Sequence, residues 1–229
     1  MVEHSESAPP TGRRGLALRR RDIAVLVVLL AVLGVLLYLL IRPASVTGIK
    51  GTAVSHGTSV YAGLAEQKPQ PAPPLKLDNY LGTQVNISSY RGKALFVTFL
   101  YTHCPDICPL IASHLHTALT QMPAAERREV RIVAVSVDPR GDTPTTVAQF
   151  LKTHEMTGRM QYLIGSAGAL RGVWTNWGIA AGPQTNNPEE VAHSALIYGI
   201  TAKGKVAVIY PANFTPREIV HDAPLLARS

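Results

Sequence analysis

The amino-acid sequence predicts an α/β domain that follows a single transmembrane helix near the N-terminus. Three observations lead to this prediction: one long uncharged apolar segment, a proline-rich stretch after it, and a C-terminal region in which strand and helix patterns alternate. A chain of 229 residues is long enough for one ordinary domain with additional segments, but short for two domains.

The apolar segment runs from Ile23 to Ile41 without a charged residue. As a helix it would be roughly 28 Å long, which is close to the hydrocarbon thickness of a bilayer. Five arginines lie within residues 1–22, whereas only Arg42 and Lys50 follow the segment closely. Positive charge stays on the cytoplasmic side, so we expect residues 1–22 inside the cell and the C-terminal domain outside. A cleaved signal peptide is the alternative, but its apolar core would be shorter, about 7–15 residues, and would end in a small-residue cleavage site.

Residues 42–74 are rich in Gly, Ser, Thr and Ala and then in proline, which favours an extended conformation. We therefore expect a tether over 42–74 and a single folded domain over 75–229. The formal charge of +7 is scattered along the chain, without the clustered basic stripe of a nucleic-acid-binding protein. No nucleic-acid partner is expected.

Strand and helix patterns alternate through the predicted domain. Strands are expected at 75–77, 83–85, 94–101, 130–137, 162–164, 195–200 and 206–210, and helices from Pro109 to Met122, from Pro144, around 169–177 and after Pro216. Residues 94–101 and 130–137 are almost continuously apolar, as in strands that are buried on both faces. Strands joined by helical crossovers imply parallel pairs, and the last two strands would add an antiparallel hairpin. This order of elements is a thioredoxin-like layout.

The two cysteines of the chain, Cys104 and Cys108, lie between the first buried strand and the helix that follows it. In an open α/β sheet, sites form at the carboxyl ends of strands. Two thiols in this turn can form a disulfide, exchange one with a substrate, or bind a soft metal ion as thiolates. The helix N-terminus is expected to favour thiolate in all three uses. A purely structural disulfide is disfavoured, because closing so short a loop removes little chain entropy.

Three segments in order resemble the Sco/SenC family: FLYTHCPDICP, VSVDPRGDTP and VAHSALIY. The resemblance spans about Pro74 to the C-terminus. It implies a membrane-tethered thioredoxin-fold protein that helps to insert copper into cytochrome c oxidase subunit II. It also implies that copper, as Cu(I) or Cu(II), is bound by Cys104, Cys108 and His193.

His193 immediately precedes the strand at 195–200, where thioredoxins carry a cis proline beside their cysteine pair. A histidine there would place an imidazole next to the two thiols. Two thiolates and one imidazole are a soft ligand set that suits Cu(I), whereas zinc usually requires a fourth ligand.

Two carboxylates are candidates for orienting the metal ligands or a docking partner. Asp106 lies between the cysteines, and Asp138 follows the second buried strand, at the same sheet edge. Asp142, Thr143 and Pro144 are explained by a helix start. His103 is discounted as a ligand because it lies in the opposite phase to Cys104.

The sequence favours two functions, and a purely structural or redox-sensing role also stays open. The first is a metallochaperone that receives copper from an upstream donor and passes it to the oxidase subunit. The second is a thiol–disulfide reductase that acts on the cysteines of the same oxidase copper site. Both functions need a thiol reductant that keeps Cys104 and Cys108 reduced, and only the first needs His193. A peroxidase is disfavoured, because Thr102 is one residue too close to Cys104 for the Thr-x-x-Cys pattern.

Overall fold

The computed structural model describes residues 59–183, 191–193 and 195–229, together with Arg21 and residues 29–35. The chain divides into two compact units, Met1–His56 and Gly57–Ser229. In the first unit the described residues are helical. No helix among the described residues is both long enough and apolar enough to cross a membrane. Most of the predicted anchor, Ile23–Ile41, lies outside the described residues, as do residues 1–20 and 42–58.

The second unit is a mixed α/β domain, which confirms the predicted fold class. Its strands are β1 (Leu64–Pro71), β2 (Lys76–Asn79), β3 (Gln84–Asn86), β4 (Ala94–Leu100), β5 (Val130–Ser136), β6 (Gln161–Ile164), β7 (Ala181–Pro183), β8 (Val191–His193), β9 (Leu196–Ile200) and β10 (Lys205–Pro211). Its helices are α1 (Ile107–Gln121), α2 (Ala124–Arg127), α3 (Pro144–Thr153), α4 (Ala167–Asn176) and α5 (Pro216–Arg228), with a 3-10 turn over Ile87–Tyr90.

Eight strands form one sheet in the order β1-β10-β9-β4-β5-β6-β2-β3, and β7 and β8 form a separate hairpin. Strands β4, β5 and β6 are parallel, whereas β9 is antiparallel to β4. Every residue of β4 is buried, as expected for a strand covered on both faces. The carboxyl end of β4 and the start of β9 therefore meet at one edge of the sheet.

The helices begin where the sequence supplies capping groups. Asp106 is the N-cap of α1 and accepts a hydrogen bond from the backbone N–H of Ile107. Thr143 caps α3 through a reciprocal pair of hydrogen bonds with Thr146, and Pro144 occupies the first turn. Helix α1 buries Ile111, Leu115 and Leu119 along one face, as the apolar spacing of the sequence predicts.

The sheet begins earlier than the sequence suggests. Residues 64–71, which lie in the predicted tether, form β1 and pair with β10 at the edge of the sheet. All eight residues of β1 are exposed, so the strand has no apolar alternation that could reveal it. Its two prolines, Pro69 and Pro71, are tolerated because an edge strand leaves one side unpaired, and the register shifts between Ala65 and Gln70.

A buried carboxylate attaches the start of the domain to the last helix. Asp222 on α5 is fully buried and accepts hydrogen bonds from the backbone N–H groups of Ala62 (2.8 Å) and Gly63 (3.0 Å). It also accepts one from the hydroxyl of Tyr210 (2.7 Å), and the Nδ1 atom of His221 lies 2.7 Å from it. Asp222 therefore connects the residues before β1 with β10 and α5.

Candidate metal centre

The cysteine pair lies at the carboxyl end of β4, as predicted. Cys104 sits in the turn after β4, where its backbone N–H donates to the carbonyl of Tyr101 (3.4 Å), and Cys108 lies in the first turn of α1. Both residues are buried, Cys104 with 6% of its surface exposed and Cys108 with 0%. They are present as thiols rather than as a disulfide. Cys104 is therefore the sulfur that an incoming group reaches first.

A backbone N–H at the N-terminus of α1 is directed at Cys104. The backbone N–H of Cys108 donates to Sγ of Cys104 (3.3 Å), and the N–H of Ile107 is taken by Asp106. The pKa of Cys108 is raised, first by its hydrogen bond with the Cys104 side chain and then by burial, although a hydrogen bond with the backbone of Tyr101 lowers it. The expectation that the helix start favours thiolate is therefore not met at Cys108, because the hydrogen bond with Cys104 and burial both raise its pKa.

Asp106 contacts the cysteine pair directly. Its Oδ1 atom accepts from the thiol of Cys104 (3.8 Å) as well as from Ile107, while its side chain is exposed to solvent. One carboxylate oxygen thus caps the helix and orients the Cys104 sulfur. A role of Asp106 in orienting a metal ligand stays a prediction.

Asp138 lies at the same sheet edge, in the loop after β5, where its side chain and that of His103 both lie near Gly141. Its Oδ1 atom accepts from the backbone N–H of Arg140 (3.1 Å). A Cβ atom added to Gly141 would overlap Oδ2 of Asp138 and would lie 2.9 Å from Nδ1 of His103. Gly141 thus lets the loop after β5 pack closely against the residue that precedes Cys104. His103, which the sequence analysis discounts as a ligand, is exposed beside the carboxylate of Asp138.

Asp142, which the sequence explains only as part of a helix start, holds the cysteine turn in place. Asp142 is buried and accepts hydrogen bonds from the backbone N–H of Thr102 (2.8 Å) and from the hydroxyl of Tyr162 (2.9 Å). Burial raises the pKa of Asp142, although its hydrogen bonds with Ser136, Thr102 and Tyr162 oppose that rise. The one signal for this role in the sequence is an acidic residue just after a buried strand, at the edge where the cysteines lie.

The backbone of His193 is located by the hairpin that precedes β9. His193 ends β8 and pairs with Ala181 of β7, three residues before β9 begins. Because β9 is antiparallel to β4, its start lies at the edge of the sheet where Cys104 follows β4. The side chain of His193 lies outside the described part of the structure, so its role as a ligand stays a prediction.

The remaining histidines near α1 serve other contacts. Nδ1 of His114 lies 2.9 Å from the carbonyl of Phe214, and Nε2 of His116 lies 3.7 Å from a carboxylate oxygen of Glu155. Among the side chains that the structure describes, no three His, Cys, Asp or Glu residues are grouped as a metal site, and His193 is not one of those side chains.

Fold and site together define a thioredoxin-like α/β domain with a Cys-x3-Cys turn between a buried strand and a helix. The SCO1/SenC family model matches residues 65–227. The chain belongs to the SCO1/SenC family.

Individual relatives are distant in sequence but similar in structure. The SCO1 protein homolog of Bacillus subtilis is 27% identical over 139 residues, which are 60% of this chain and 72% of that protein. The solution structure of apo Sco1 from Thermus thermophilus is 25% identical with a TM-score of 0.64, covering 72% of this chain and 96% of the other. The copper-bound structure of ScoI from Bradyrhizobium japonicum is 27% identical with a TM-score of 0.57, covering 68% of this chain and 99% of the other.

Proposed function

We propose that this protein is a membrane-anchored copper chaperone that carries one copper ion on Cys104, Cys108 and His193 outside the cytoplasm. Copper is its cargo, and cytochrome c oxidase subunit II is the proposed acceptor. The observation that carries the proposal is the position of two contacting thiols at the carboxyl end of β4, at the sheet edge where β9, preceded by His193, begins. The copper-bound structure of the Bradyrhizobium relative supports the choice of metal.

The burial of the two sulfurs suggests how copper would be passed on. Cys108 is fully buried and Cys104 is nearly so, which protects Cu(I)-bound thiolates from water and oxidants. An acceptor ligand would approach Cys104 first, and transfer would proceed by exchange of one ligand at a time. Ligation requires that both thiols lose their protons, so copper binding by the buried Cys108 releases a proton and is weakened by acid.

A thiol–disulfide reductase is the second candidate, because the same contact between the sulfurs allows a disulfide between Cys104 and Cys108. In that function the pair would reduce the cysteines of the oxidase copper site and would itself become oxidised. The thiol reductant named above would then restore the pair. This function does not need His193, and the two candidates therefore make opposite predictions for a change at this residue.

Copper binding to purified protein tests the first candidate. The reduced protein should bind one Cu(I) ion per chain, and the protein with Cys104 and Cys108 joined as a disulfide should bind none, because a disulfide offers no thiolate. His193→Ala should lower the Cu(I) affinity by more than about 10-fold, since even the loss of a residue that only orients a ligand costs about 10–100-fold. His116→Ala is the matched control and should bind copper normally. Equal copper uptake by the oxidised and reduced forms would show that the cysteines are not ligands.

Oxidase assembly in cells separates the two candidates. If delivery is the function, His193→Ala cells should lose oxidase activity and recover it when copper is added. Normal oxidase in His193→Ala cells together with loss in Cys104→Ser cells would instead establish the reductase.

The proposed location depends on the arginines before Ile23–Ile41. An enzyme reporter that is active only outside the cytoplasm, fused after Ser229, should be active. If a second reporter, one that works only in the cytoplasm, is active when fused at the same position, the C-terminal domain lies inside the cell. That result would contradict the chaperone proposal, because the proposed acceptor site lies outside.

A further inference from the structure

A second feature of the domain lies at the edge of the sheet opposite the cysteines. Strands β4, β5 and β6 all begin there, and a groove of about 530 Å³ opens beside the first residues of β5 and β6. The length of β4 places this groove roughly 20 Å from the cysteine turn. It is therefore separate from the proposed copper site.

Three arginines from different parts of the chain line this groove: Arg127 at the end of α2, Arg131 at the start of β5 and Arg159 before β6. Apolar side chains of Leu119 and Ile132 line it as well. The lining contains no aspartate or glutamate.

Two of the guanidinium groups are held by backbone carbonyls. Nη1 of Arg127 donates to the carbonyl of Leu119 (3.2 Å), and Nη1 of Arg131 donates to the carbonyls of Arg128 (2.9 Å) and Val130 (2.7 Å). These contacts fix the position of each cation through neutral acceptors rather than through a carboxylate. Fixed guanidinium groups lose little conformational entropy when they bind a ligand.

The carboxylate near these arginines is paired with a lysine. Lys93 binds Glu129 at 2.7 Å, and this hydrogen bond is the main reason that the pKa of Glu129 is lowered, with smaller contributions from the charges of Arg131 and Arg128. Among the described residues, the ion pairs involve lysine or histidine, and no arginine has a carboxylate within ion-pair distance. The groove therefore presents three arginines, none of which is directly bonded to a carboxylate in the described part of the chain, although Glu129 lies close enough to interact with the charge of Arg131.

We infer that the groove is a binding site for a phosphate group carried by a small organic molecule or a lipid headgroup. Guanidinium groups bind phosphate oxygens through paired, charge-assisted hydrogen bonds, and three of them match a group with several charged oxygens. The phenol of Tyr90 and the amide of Gln161 add hydrogen-bonding groups to the rim. The apolar part of the lining suits the organic body that carries the phosphate.

Binding of inorganic phosphate to the full chain in a maltoside detergent, measured by calorimetry, tests whether the groove binds the phosphate group of a water-soluble molecule. Arg159→Gln is the main variant, because no hydrogen bond of its side chain is seen in the described structure and its loss should leave the fold intact. Arg131→Gln is the second variant. Each should weaken phosphate binding about 10-fold, because a charge-assisted hydrogen bond contributes roughly that factor to the affinity. Arg171→Gln, an exposed arginine on α4 outside the groove, is the matched control and should bind phosphate normally.

The lipid source is tested with the full chain reconstituted into vesicles of a neutral galactolipid, with or without phosphatidylglycerol. Phosphatidylglycerol should slow amide hydrogen exchange over residues 124–131, and Arg159→Gln should abolish this protection. Saturable binding in either arm that depends on Arg159 supports the inference and identifies the source. The inference is overturned if neither probe binds, or if Arg171→Gln weakens binding as much as Arg159→Gln.

Discussion

Replacing Asp142 tests whether one buried carboxylate holds the cysteine turn against the sheet. Asp142→Ala removes the acceptor for the backbone N–H of Thr102 and for the hydroxyl of Tyr162, and both donors are then left without their partner. Asp142→Asn keeps a carbonyl oxygen of the same shape and can donate to Tyr162 through its amide. The two substitutions therefore separate the loss of the acceptor from the loss of the charge.

The expected cost follows from these two hydrogen bonds. A buried donor that loses its acceptor costs about 1–3 kcal/mol, so two of them cost about 2–6 kcal/mol. Removing a buried negative charge offsets part of this loss, because burial raises the pKa of Asp142 and so disfavours its ionised form. We expect Asp142→Ala to lower the free energy of unfolding by about 2–4 kcal/mol, which lowers Tm by roughly 4–16 °C in a domain of this size.

The pH dependence has a definite sign. The folded-state pKa of Asp142 is raised above its ordinary value of 3.8, so its protonated form contributes stability below pH 3.8 that is lost as the pH rises through the raised folded-state pKa. Asp142→Asn cannot ionise and does not incur this loss. Its stability relative to the wild-type protein should therefore increase as the pH rises across that window, and at neutral pH it should be much closer to wild type than Asp142→Ala is.

Thermal unfolding of residues 57–229, which form one compact unit, provides the measurement when it is followed by far-UV circular dichroism under reducing conditions. Cu(I) affinity of the same variants shows whether the turn is also loosened. Wild-type stability of Asp142→Ala would refute the reasoning. Equal damage by Asn and Ala would refute the assignment of the effect to the missing acceptor.

Two further predictions concern other close contacts. Asp222→Ala should destabilise the domain by about 2–4 kcal/mol, because the buried hydroxyl of Tyr210 and the partly buried N–H groups of Ala62 and Gly63 lose one acceptor. It should also speed amide exchange in β1, and unchanged exchange there would contradict its role as the attachment of that strand. Gly141→Ala should cost about 1–3 kcal/mol, since its new methyl group overlaps Asp138 and crowds His103. Gly172→Ala in α4, where a Cβ meets nothing within 4 Å, is the control and should be neutral or stabilising, as judged by the same unfolding experiment.

Most of the sheet could be predicted from the sequence because burial leaves a pattern there. Strands β4 and β5 are almost continuously apolar, and α1 has an apolar face at helical spacing. Strand β1 leaves no such pattern, since all its residues are exposed. The hairpin of β7 and β8 is too short for periodicity to reveal, at three residues in each strand.

In the candidate site, too, some contacts could be predicted from the sequence and others could not. Cys104, Cys108 and Asp106 are close in sequence, so their proximity could be foreseen from the turn before α1. Asp142 acts on residues 40 and 20 positions away, and the partners of a carboxylate at such distances depend on how the strands are arranged. The arginine groove is also a product of the sheet order, because its cations come from three separate elements.

The pairing of β1 with β10 has a consequence for the order in which the chain can fold. These strands are neighbours in the sheet, yet they are the first and last strands of the domain, separated by more than a hundred residues. A ribosome releases the chain from the N-terminus, so β1 emerges long before the strand that it must join. The parallel core of β4 and β5 can form earlier. The hydrogen bonds from the residues before β1 to Asp222 can form only after the final helix has been synthesised. Pairings between such distant segments slow folding. Completion of the sheet is therefore a late event, and a chain that stops short of β10 leaves β1 unpaired and open to association with other chains.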